Sequence, residues 1–146
     1  MVRALAGVMV AAVLVPTAAA ASIPDEVVVG LHTVGIDVVA ADSAAPTVGP
    51  RSARHVALKN FRGFAYPYTS GWTRVGRVSV HLARVVHSNS VGPLGLFPGQ
   101  LVWVVAIRDV TLPDLGPPGH PHHAFVGNLA VFVRTDVPRY IVATGF

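Results

Sequence analysis

The chain has 146 residues, 52% hydrophobic and 12% charged, which allows one domain with a real core and about half the usual share of charge. It contains no cysteine, so disulfides, thiol nucleophiles, cysteine-based zinc sites and a cysteine-linked lipid anchor are excluded. Ten Arg and one Lys against seven acids give a net charge of +4, too sparse a basic set for a nucleic-acid binder and consistent with weak attraction to an anionic cell envelope.

Met1-Val-Arg3 is a short positive start, Ala4 to Val15 an unbroken apolar run, and Ala18 to Ser22 a stretch of small residues after Pro16. That is the layout of a secretory signal peptide over residues 1–21. The apolar run is shorter than the roughly 20 residues that span a bilayer. Export to the cell envelope or the exterior is therefore expected, with membrane contact only through an uncleaved leader.

Residues 22–49 read as an N-terminal extension. Its two Val-rich pieces, Glu26-Val-Val-Val29 and Gly35-Ile-Asp-Val-Val-Ala40, predict short strands, and the turn-prone Ala41 to Gly49 predicts a linker. From Pro50 to Arg62 the spacing predicts a helix. Pro50 suits its first turn, Ala53, Val56, Ala57 and Phe61 form an apolar stripe, and Gly63 follows as a stop. Arg51, His55, Lys59 and Arg62 fall on its opposite side, the polar face that amphipathicity requires.

Four aromatics then crowd into Phe64 to Trp72, and Tyr66, Tyr68 and Trp72 are candidates for a binding platform or an apolar plug. From Arg77 to Val86 the period changes to two, with Val78, Val80 and Leu82 on one side of a half-buried strand. Gln100 to Val110 is apolar on both alternating faces and carries no Gly or Pro, the signature of a central strand. Trp103 within it is expected to be buried against the helix stripe. Asn128 to Arg134 and Arg139 to Thr144, joined by Thr-Asp-Val-Pro, predict a closing hairpin.

The densest polar group is His120-Pro-His122-His123 in a Pro-rich loop, six residues after Asp114. Imidazoles ligate zinc, copper and nickel, so His120, His122 and His123 are the candidate metal ligands, with His87 or Asp109 to complete a set. A metal-binding protein using a divalent transition metal is the alternative reading. Other chemistry lacks its motifs. There is no G-x-S-x-G, the single Glu leaves no Glu pair for glycoside work, and no Gly-rich loop joins a strand to a helix. A non-enzymatic protein without a resident cofactor is expected.

Ala53-Arg-His-Val-Ala57, Trp103-Val-Val-Ala-Ile107 and Val131-Phe-Val-Arg-Thr-Asp-Val-Pro-Arg-Tyr-Ile141 resemble, in that order, the helix, strand and closing-hairpin motifs of PepSY-like domains of exported bacterial proteins. The resemblance covers residues 50–146. It departs at the hairpin, where Arg134 stands for the family's Asp and Val137-Pro138 for its Thr-Gly. It implies an α+β fold, with one amphipathic helix on an antiparallel sheet of about four strands. It also implies a non-catalytic binding or regulatory module in the cell envelope, with a restrained peptidase among its partners, and it carries no catalytic residues over.

Overall fold

The structure, a computed structural model, describes residues 22–41, 44–65, 76–89, 95–112 and 125–146, with backbone alone for 61–65, 112 and 125. The elements are α1 (Asp25–Thr33), β1 (Ile36–Ala40), α2 (Pro50–Ala65), β2 (Val78–Ser88), β3 (Leu101–Leu112), β4 (Phe125–Arg134) and β5 (Tyr140–Gly145). The strands form one antiparallel sheet in the order β1-β2-β3-β4-β5. The fold is therefore α+β, as expected, but with two helices and five strands in place of one and about four.

The extra helix corrects the strand reading of Glu26 to Val29. Three consecutive valines point three ways: Val27 is buried, Val28 is half-buried and Val29 is exposed. An extended chain would alternate them, whereas a helix sends every fourth residue inward. Ile23, Val27 and Leu31 follow that spacing into the core, and Asp25 and Glu26 in the first turn complement the positive end of the helix. A β-branched composition thus yielded to burial of an i, i+4 stripe. The second Val-rich piece is a strand, β1, with Ile36 and Val38 inward.

Each face of the sheet carries one helix, so the molecule has three layers. On the first face α1 packs over Val85, Val104, Ala106 and Phe132. A Cβ on Gly30 would run into the ring of Phe146, so a residue that costs about 1 kcal/mol in a helix admits an aromatic side chain instead. On the second face Ala53 and Ala57 of α2 pack over Trp103, Val105, Val131 and Val133. Because both faces are covered, the centre of β2 is buried through and through at His81, Leu82 and Ala83 rather than half-buried. The middle strand β3 is buried continuously from Val102 to Ile107, as an apolar run without alternation requires.

The closing hairpin pairs Val133 with Tyr140. Among the described non-glycine residues positive φ occurs at Asp109 alone, so the 135–138 turn closes without the left-handed residue that a Gly would supply. Instead Arg134 clasps Asp136, donating through Nε at 2.8 Å and through Nη2. Those hydrogen bonds from Arg134 hold the Asp136 carboxyl well below the usual carboxylate range, at about 2.

Candidate functional site

Helix α2 is positioned by the segment that precedes it. The Val48 N–H donates to the Thr135 carbonyl (2.8 Å), and the Val48 carbonyl accepts from Trp103 Nε1–H (2.8 Å). Val48 itself is buried. The chain is thus fixed to β3 and to the closing hairpin two residues before Pro50 opens the helix. Ala53 and Ala57 are fully buried, and their short side chains let the helix lie close on the sheet. α2 continues to Ala65, so Gly63 does not end it.

The other side of α2 is strongly cationic. Arg51, Arg54, His55 and Lys59 are exposed and, with half-buried Leu58, are the described residues that line a half-open groove of about 550 Å³. Arg54 extends the basic row beyond the residues the sequence reading assembled; its place three residues after Arg51 was the available signal. The helix contains no acidic residue. Among the described residues none of these four has a hydrogen-bonding or ion-pairing side chain opposite it.

Three acids elsewhere are engaged. Glu26 pairs with Arg108 on the α1 face, Asp37 with His32 Nδ1 at 2.6 Å, and Asp136 with Arg134. The α1 face also holds a part-buried polar pair, buried His81 with its Nε2 against Oγ of half-buried Ser79 at 2.9 Å, which gives both groups a partner beside an apolar layer.

The aromatic candidates Tyr66, Tyr68 and Trp72 and the metal candidates His120, His122 and His123 lie outside the described residues, as does Asp114. Their anchor points share one end of the sheet. Residues 66–75 rejoin it at Gly76, whose N–H donates to the Arg108 carbonyl at 3.0 Å. Residues 113–124 leave from Leu112 and return at its pairing partner Phe125. Asp109 belongs to that end. His87 does not, because the β2–β3 register places it about eleven strand steps from Asp109, on the order of 30 Å. His120 is five residues from Phe125, a covalent reach of at most about 18 Å, so His87 cannot complete a site with it. Among the described residues no group of three or more His, Asp or Glu could hold a metal ion, and no helix is long and apolar enough to cross a membrane.

Compared with known proteins, the chain matches no family model, no curated protein and no solved structure. Fold and site together define an α+β domain that presents a basic helix from a rigid sheet.

Proposed function

We propose that this is an exported, non-enzymatic binding module that engages a partner in the cell envelope through the basic face of α2. The observation that carries this reading is the row of Arg51, Arg54, His55 and Lys59, unmatched by acids among the described residues and held on a helix pinned at Val48. Cations that serve folding are normally placed beside carboxylates, as Arg108 and Arg134 are here. Cations left together without them repel one another and favour an anionic counterpart. The PepSY-like resemblance supports the same class of function and names a peptidase as one candidate partner.

A photo-crosslinking residue placed at exposed Ser52 and, separately, at exposed Val126 tests the reading. Exposure to envelope fractions is expected to give adducts from position 52, and these should be lost in Arg51→Gln/Arg54→Gln/Lys59→Gln. Adducts of equal yield from both positions, or unchanged yield in the triple variant, would overturn it.

A further inference from the structure

Resting on that reading, we infer that the counterpart of the α2 face is the anionic headgroup surface of a lipid bilayer. The folded domain then meets a membrane directly, with no need of its leader. The chemistry of the face suits diffuse charge better than a particular ligand. Arg51, Arg54, His55 and Lys59 span about two turns on the solvent side of α2, and the groove they line is half open to solvent. Among the described residues that line it, every polar group is a cation or an imidazole on an exposed side chain. No amide, hydroxyl or carboxylate stands among the described lining residues to orient a particular ligand, and charges on flexible stems adapt to headgroups in many arrangements.

Charge polarity across the layers points the same way. Among the described residues the opposite layer sets Glu26 against Arg108 and Asp37 against His32, with Asp25 exposed, so an anionic plane attracts the α2 face in preference to the α1 face. That fixes which side of the molecule faces the surface. Leu58 lies among the cations and is half-buried. The apolar side of α2 is committed to Trp103 and Val105, so adhesion is electrostatic and reversible, without insertion of the helix.

The test uses the full chain with vesicles of phosphatidylcholine alone and of phosphatidylcholine mixed with phosphatidylglycerol, read by co-sedimentation. Any partitioning of the apolar leader is common to both lipids and to all variants, so the difference between the lipids isolates the charge-dependent part. Binding is expected to rise with phosphatidylglycerol and to collapse between about 0.1 M and about 1 M salt, over which the screening length falls from about 10 Å to about 3 Å. Each cation near an anionic membrane is worth about fivefold in affinity, so Arg51→Gln/Arg54→Gln/Lys59→Gln should weaken it on the order of a hundredfold. All three side chains are exposed, and an unchanged melting temperature would confirm that the variant folds.

The charge-matched control Arg77→Gln/Arg84→Gln/Arg139→Gln should keep most of the affinity. Equal losses in the two triple variants would show a net-charge effect and overturn the inference. Absence of vesicle binding together with α2-dependent binding to polyglutamate would assign the face to an acidic protein, sinking the bilayer and leaving the binding-module reading intact. Binding to neither probe would sink the bilayer and leave the binding-module reading to the crosslinking test.

Discussion

Trp103 joins three parts of the chain: its ring fills the α2 layer from the central strand, and its indole N–H holds the Val48 carbonyl at 2.8 Å. Trp103→Ala should cost about 3–5 kcal/mol, the usual range for deleting a buried aromatic. Trp103→Phe keeps most of the ring but strands a buried carbonyl, at about 1–3 kcal/mol. Urea denaturation of the two variants separates packing from the hydrogen bond; a neutral Trp103→Phe would mean that the bond contributes nothing. Burial of this Trp could be read from an eleven-residue run with no polar alternation, but its bond could not, because the acceptor is 55 residues away. A second residue-scale feature was equally hidden. Asp109 sits at φ 53 in the bulge between Ile107 and Val110, and a Cβ on Gly76 would meet the Arg108 carbonyl at 2.6 Å. Asp109→Val should destabilise by about 1–2 kcal/mol, since a β-branched side chain is poorly accommodated in the left-handed region. A neutral result by thermal melting would show that the bulge relaxes.

Among the elements, β3 and the closing hairpin could be read within two or three residues of their observed ends, because long apolar runs bounded by Pro and Gly leave little choice. α1 could not. Its three valines argue for a strand locally, and only the presence of a sheet face for Ile23, Val27 and Leu31 to cover makes the helix the better burial. α2 lay between these cases: its start and stripe were readable, whereas its run through Gly63 was not. The hairpin turn makes a prediction at this scale. Asp136 is held at about 2 by its hydrogen bonds from Arg134, below the ordinary Asp value near 3.9. A depressed carboxylate pKa contributes stability that is complete above the unfolded value and disappears as pH falls through the folded one. The clasp should therefore persist at pH 5 and loosen as pH falls from about 4 to about 2, the window between those two values. Carboxyl carbon chemical shifts of Asp136 would follow it, and Arg134→Gln should move the midpoint up towards the ordinary value. A midpoint near 4 in the parent protein would show that the clasp does not form in solution.

At the scale of the whole molecule, the number of layers was the quantity hardest to read, because it depends on where a short N-terminal helix docks. The candidate site was half readable: a basic side of α2 follows from periodicity, while its lack of acidic neighbours among the described residues depends on which layer each carboxylate joins. The same topology bears on the metal alternative. His120, His122 and His123 belong to the segment between Leu112 and Phe125, which pair at the end of the sheet that carries Asp109, and covalent reach keeps them from His87, so the most distant candidate ligand drops out. The expected result is that the parent and His120→Ala/His122→Ala/His123→Ala melt alike with or without zinc, copper or nickel. A site that binds the folded state would stabilise it by about 2.7 kcal/mol at a hundredfold excess of metal over the dissociation constant. Protons compete for neutral imidazoles, so such a shift would fade as pH fell through about 6.5, the ordinary His value. A metal-dependent rise in melting temperature in the parent, absent from the triple variant and lost at about pH 5, where ordinary imidazoles are protonated, would replace the basic helix with the His loop as the functional site.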